Sequence, residues 1–225
     1  MGKLSIANFQ FSIKMKRFIT IISILIFCGQ VFAQGTNDVE VTGEKKTALV
    51  SSIEKSHKEL KTLSAQFTQE KVSSLLTEKV VQKGKLSYRS PKQLRWEYTS
   101  PKAMSVIFSN GKVLLKTSKG TVNNPNKMLN EMGGLIISTI NGSFLTDNAN
   151  FKARYYKNSK TGKILVVLTP INKRIKAYYS KMTITLDGKS HLAEKVAMHE
   201  VNGDVTTITF SDKKVNTTLS DSLFK

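Results

Sequence analysis

The chain has 225 residues, 40% of them hydrophobic, which is enough for one domain with a sizeable core. Its single cysteine, Cys28, excludes a disulfide framework. The formal net charge of +19 could attract nucleic acid or anionic lipid head groups, but the lysines are spread among apolar strand residues, which fits a solvated surface better.

Lys14, Met15, Lys16 and Arg17 form a basic cluster, followed by the apolar run Phe18–Phe27 and the A-x-A-like exit Val31-Phe32-Ala33. This is the pattern of a secretory signal peptide. An apolar run of about ten residues is too short for a bilayer, which takes roughly 20 helical residues. Residues 1–33 are therefore expected to be removed, with Met15 as the expected start. Cys28 follows the bulky Phe27 and is expected to leave with the leader rather than to be lipidated. The mature chain from Gln34 would be a soluble, cysteine-free protein of an envelope compartment.

Residues 34–45 are polar and aperiodic and read as a flexible tail, with a single domain over 46–225. Ala48, Leu49, Ile53, Leu60 and Leu63 recur at helical spacing, opposite Glu54, Lys55, Lys58 and Glu59, and predict an amphipathic helix over 46–61. From Ser64 the period changes to two. Leu94, Trp96 and Tyr98 share one face while Arg95 and Glu97 share the other; Met182, Ile184 and Leu186 alternate likewise. Asn110-Gly111, Thr161-Gly162, Asp187-Gly188 and Asn202-Gly203 mark turns between antiparallel strands.

One segment departs from this pattern. Asn123-Asn124-Pro125 can open a helix, and Met128, Leu129, Met132, Leu135, Ile136 and Ile140 give it an apolar stripe. Gly133-Gly134 interrupts that stripe, at about 1 kcal/mol per glycine relative to alanine. Two short helices or one hinged helix are expected, ending near Asn141-Gly142.

About ten consecutive strands without βα units imply one large antiparallel sheet, which curls and needs its concave face covered. The predicted fold is mainly β with a few helices (α+β), an incomplete antiparallel barrel with a helical lid.

Catalytic signals are sparse. His57, His191 and His199 have no partner at ligand or triad spacing and read as ordinary surface or half-buried residues. No nucleophile elbow, metalloprotease helix, phosphate loop or dinucleotide fingerprint is present. Glu194 with Glu200, or Asp187 with Asp204, could pair in space. The expectation is a non-enzyme without cofactor or metal.

Leu63-Ser64-Ala65-Gln66-Phe67-Thr68-Gln69, Gly84-Lys85-Leu86, Pro91 with Leu94 and Trp96, Pro101, and Ser109-Asn110-Gly111-Lys112 together resemble the LolA family of periplasmic lipoprotein carriers. A looser match extends through Leu168-Thr169-Pro170 to the C-terminal hairpins. The resemblance implies an apolar cavity for lipoprotein acyl chains. Its candidate lining is Phe67, Leu86, Tyr88, Leu94, Trp96, Tyr98, Met104, Met128, Met132 and Ile136. Methionines suit such a cavity because thioether side chains repack around irregular ligands. The family's lid-latching arginine stands immediately before the proline, where this chain has Ser90; Arg89 and Arg95 are the candidate latches.

The resemblance also implies, as partners, an inner-membrane lipoprotein-releasing transporter, an outer-membrane acceptor and transient membrane contact, with no nucleic acid and a monomeric carrier. Competing readings are a non-transporting lipid or lipoprotein sensor or acceptor on the same fold, an envelope hydrolase, and a nucleic-acid binder.

Overall fold

A computed structural model describes residues 37–73, 78–109, 111–123 and 127–225, with the side chains of 127–132 excepted. The expected leader and Cys28 lie outside the described residues.

In chain order the elements are β1 (Asp38–Glu40), α1 (Gly43–Lys58), β2 (Thr62–Val72), β3 (Val80–Arg89), β4 (Gln93–Ser100), β5 (Met104–Ser109), β6 (Lys112–Thr117) and β7 (Gly120–Asn123). There follow α2 (Lys127–Asn141), a 3-10 turn (Ser143–Leu145), β8 (Phe151–Asn158), β9 (Ile164–Pro170) and α3 (Lys173–Lys176). The chain ends with β10 (Tyr179–Leu186), β11 (Ala193–Glu200), β12 (Val205–Val215) and a 3-10 turn (Asp221–Phe224).

The strands form one open antiparallel sheet in the order β1-β8-β9-β10-β11-β12-β2-β3-β4-β5-β6-β7. Two meanders, β2–β7 and β8–β12, meet where β12 pairs with β2. This order explains the lid. The chain must pass from β1 at one edge to β2 at the centre, and from β7 at the other edge back to β8. The helices α1 and α2 are those two crossings, and both bury apolar side chains against the same core: Ile53 from α1 and Ile140 from α2. The fold is the half-barrel with a helical lid that the patterning predicts.

Period two places the core. Across the middle of the sheet Ala65, Leu86, Trp96, Val106 and Leu115 align in one cross-strand row. Leu63, Tyr88, Leu94, Phe108 and Val113 align in the next. On the other side of the seam Val166, Ile184, Val196 and Ile208 align likewise. All are buried except the partly buried Leu115.

Three local expectations need correction. Residues 38–40 of the expected tail are a strand, held to β8 by Glu40, whose carboxylate accepts from Arg154 Nε and Nη2 at 2.9 and 2.7 Å. Three residues are too few for an alternation to show. The helix spans Gly43–Lys58 rather than 46–61, because Leu63 is a buried residue of β2 and not a further position of the helical stripe. Finally, α2 is one continuous helix through Gly133-Gly134. A Cβ at Gly133 would stand 1.9 Å from Cζ of Phe108, so this glycine allows close approach of helix to sheet and is not a break.

The C-terminal segment crosses the opposite face of the sheet. Leaving β12, Thr217 accepts through its carbonyl from Thr62 Oγ1 at 2.6 Å. The final 3-10 turn packs against β4 and β5 and buries Phe224. Ile107, fully buried, aligns with Arg95 on the convex side of β5; neither it nor Phe224 belongs to the main core cluster. The segment is a strap closing a small second core.

Candidate functional site

The concave face of β2–β5 is dominated by aromatic rings. Phe67 stacks on Trp96 with ring centroids 3.9 Å apart, and Tyr98 meets Phe67 edge-on at 5.5 Å. Gly84 makes room for this stack, since a Cβ there would lie 2.4 Å from Cζ of Phe67. Phe210 of β12, opposite Phe67, meets Trp96 edge-on at 6.2 Å. Tyr98 Oη donates to Gln69 Oε1 at 3.2 Å, and burial pushes its phenol above the ordinary tyrosine range.

Among the spaces between lid and sheet are two small, mainly apolar ones. The larger has a volume of about 20 Å³ and is lined by Leu135, Ile136 and Thr139 of α2 and by Val196, Met198, Ile208 and Phe210. The smaller, about 10 Å³, lies among Leu63, Ala65, Leu86, His57, Ile140, Leu192, Ala193, Phe210 and Lys213. Sites for small molecules typically measure about 300–1,000 Å³. As the lid lies, neither space admits an acyl chain. Both spaces are bounded by α2 on one side and share Phe210 on the other.

The structure brings Phe67, Leu86, Tyr88, Leu94, Trp96 and Tyr98 together, all buried on the concave side, with Met104 partly buried at the margin. Among the sequence candidates, Ile136 lines the larger space and Leu86 the smaller. The side chains of Met128 and Met132 lie outside the described residues. Val196, Met198, Ile208 and Phe210 were not singled out as site residues. Only the sheet order carries β11 and β12 beneath the lid.

Neither candidate latch reaches the described part of the lid. Arg89 Nη1 donates to Asp221 Oδ1 at 2.6 Å, its Nη2 donates to the Leu219 carbonyl, and its guanidinium lies 4.8 Å from the Phe224 ring centroid. It therefore fastens the strap. Arg95 donates to Glu97 at 2.7 Å and to Ser105 at 2.9 Å on the convex face. Strand alternation gives the reason: the neighbours Tyr88 and Leu94 point into the core, so Arg89 and Arg95 point away from it.

The lid is instead joined to the sheet through histidines 134 positions apart. His57 is buried; its Nε2 lies 3.0 Å from the carbonyl of His191, and Ser56 Oγ lies 2.9 Å from His191 Nδ1. The His57 ring also lies against Gly142, just beyond α2. Burial pushes its imidazole below the ordinary range; the hydrogen bond to the His191 carbonyl opposes that shift, and the charge of the His191 ring adds to it. Both histidines are thus more buried than their sequence surroundings suggest.

The candidate carboxylate pairs are each engaged elsewhere. Glu194 pairs with Lys163 at 2.7 Å, and Asp187 accepts from the Ser190 backbone and hydroxyl. Glu200 and Asp204 both pair with Lys71, at 3.0 and 3.2 Å. No group of three or more His, Cys, Asp or Glu able to hold a metal occurs among the described residues. Nor is any described helix long and apolar enough to cross a membrane.

The family model of the outer membrane lipoprotein carrier protein LolA matches residues 58–225. The chain belongs to the LolA family. An outer-membrane lipoprotein carrier protein of Pseudoalteromonas translucida (strain TAC 125) is 28% identical over 167 residues, covering 74% of this chain and 76% of the relative. Among solved structures, a LolA superfamily protein from Nitrosomonas europaea aligns with a TM-score of 0.40 at 10% identity, over 79% of this chain and 97% of that one. The lipoprotein LppX of Mycobacterium tuberculosis aligns with a TM-score of 0.41 at 12% identity, over 77% and 98%.

Proposed function

We propose that this LolA-family chain is a periplasmic carrier that takes the acyl chains of lipoproteins beneath its lid and shuttles them from the inner to the outer membrane. The observation that carries the reading is the apolar seam between α2 and β11, β12 and β2, where Thr139 is the one polar side chain of the larger space.

Each CH₂ withdrawn from water contributes roughly 0.8 kcal/mol, so even one acyl chain offers ample free energy to move a helix. Opening exposes Leu135, Ile136, Met198 and Phe210, and an acyl chain covers them again. The carrier therefore exchanges its own lid contacts for cargo contacts, which keeps binding reversible. Met104 and Met198 supply adaptable surface for chains of differing shape. The reading assigns no catalytic step, cofactor or nucleotide to the chain. Its partners would be a transporter that releases lipoproteins and an acceptor that takes them.

The test is extraction. Purified protein is incubated with vesicles carrying a triacylated lipoprotein, and the soluble fraction is assayed for a one-to-one complex that acceptor vesicles then discharge. A soluble complex that discharges supports transport. A complex that forms but never discharges would make the protein a sensor, and no complex would remove the reading.

A further inference from the structure

Six of the nine large apolar side chains exposed among the described residues lie at one end of the sheet. Val72 ends β2 opposite Val205, Val80 and Val81 begin β3, and Val201 sits in the turn between β11 and β12. The Val201 amide donates to the Tyr178 carbonyl at 3.0 Å, which brings the β9–β10 connection to the same rim.

That connection has a distinctive composition. Ile171 and Tyr178, 52% and 68% exposed, flank α3, whose Lys173, Arg174 and Lys176 are all exposed. Ile175 turns inward and packs against the core, anchoring the helix. No acidic residue occurs from Ile171 to Leu186, and Lys181 adds a further exposed cation. Nearby acids are engaged: Glu200 and Asp204 by Lys71, Glu70 by Lys79 at 2.7 Å, and Asp147 by the Asn150 amide. Glu78 is the exposed exception.

We propose that this rim docks on the surface of an anionic phospholipid bilayer, with the β9–β10 connection as its principal contact. The charge is complementary to phosphate head groups, and exposed Ile and Tyr among lysines match segments that lie in the head-group boundary. An acidic protein would satisfy the cations alone and leave Ile171, Tyr178 and Val201 without a role. The inference deepens the carrier reading by naming the membrane surface the carrier meets, but its chemistry and its test stand apart from cargo binding.

The experiment is co-sedimentation of the full mature chain with vesicles of phosphatidylglycerol and phosphatidylethanolamine, set against phosphatidylcholine alone. Two variants accompany it: Lys173→Glu with Arg174→Glu and Lys176→Glu, and Ile171→Ser with Tyr178→Ser. The wild type is expected to favour the anionic vesicles, the charge variant to bind roughly tenfold or more weakly, and the apolar variant to bind less at every salt concentration. Wild-type indifference to lipid charge, unchanged binding by either variant, or binding to soluble polyglutamate without vesicle binding would each overturn the proposal. Fluorescent fatty-acid binding in solution is measured on the same proteins. Intact uptake with lost docking is the pattern expected of the variants; uptake lost in the wild type would count against the carrier and leave docking to the vesicle result.

Discussion

The Phe108 ring of β5 occupies the place that a side chain at Gly133 of α2 would take, 1.9 Å from the position of its Cβ. The neighbouring Gly134 has open space there. The two glycines that look alike in the sequence therefore have opposite meanings, one for packing and one dispensable.

Gly133→Ala should lift the lid from β5 or force Phe108 aside, at a cost of about 1–3 kcal/mol for overpacking. Gly134→Ala should be neutral or stabilising by up to about 1 kcal/mol, since alanine is the better helix former. Thermal unfolding of the two variants checks this. A Gly133→Ala protein as stable as the wild type, with no gain in binding of a hydrophobic dye, would contradict the close-packed lid.

The strap makes a second prediction. Phe224→Ala should destabilise the convex core by about 3 kcal/mol if the strap unfolds with the domain, a typical cost for a buried phenylalanine. Arg89→Ala should raise hydrogen exchange in residues 217–225 because it removes the contacts to Asp221, Leu219 and Phe224. Acyl-chain affinity should stay within about twofold, as the strap lies on the face away from the lid. A large affinity change in Arg89→Ala with unchanged exchange at the C-terminus would return Arg89 to the latch role.

The pH dependence follows from His57. Its imidazole is pushed below the ordinary value of 6.5 chiefly by burial, so the unfolded chain takes up its proton at a higher pH than the folded chain. Stability from this group is complete above about pH 6.5 and is lost as pH falls from there through the depressed folded value. His191, also pushed down by burial, adds in the same direction. His57→Gln should flatten the fall in melting temperature below about pH 6.5. An identical pH profile in the variant would remove His57 from the account.

Much of the fold was legible because period two is a local signal: Leu94, Trp96 and Tyr98 declared both their strand and their shared face. The glycine turns landed between paired strands for the same reason. The chain order of strands also set the lid, but only once β12 was known to pair with β2, a contact about 140 residues apart that no local pattern encodes. That pairing is why Val196, Met198, Ile208 and Phe210, which line the larger space, are absent from the candidate lining built around Phe67 and Trp96. The strap was hidden because the partner of Arg89, Asp221, lies 132 positions away in a stretch with no periodicity. His57 and His191 escaped for a similar reason, since each looked ordinary among its sequence neighbours.

The central claim is that an acyl chain enters between α2 and the sheet. The chain from Gln34 onward has no cysteine of its own, so Leu135→Cys paired with Met198→Cys would place two thiols on the walls of the larger space, which oxidation with a short dithiol spacer can link. The most direct measurement is titration of this variant with a triacylated lipopeptide, oxidised and reduced, read by the emission of the one tryptophan, Trp96. The account predicts saturable binding in the reduced protein and its loss on oxidation. Equal binding in both states, or none in either the reduced variant or the wild type, would contradict it.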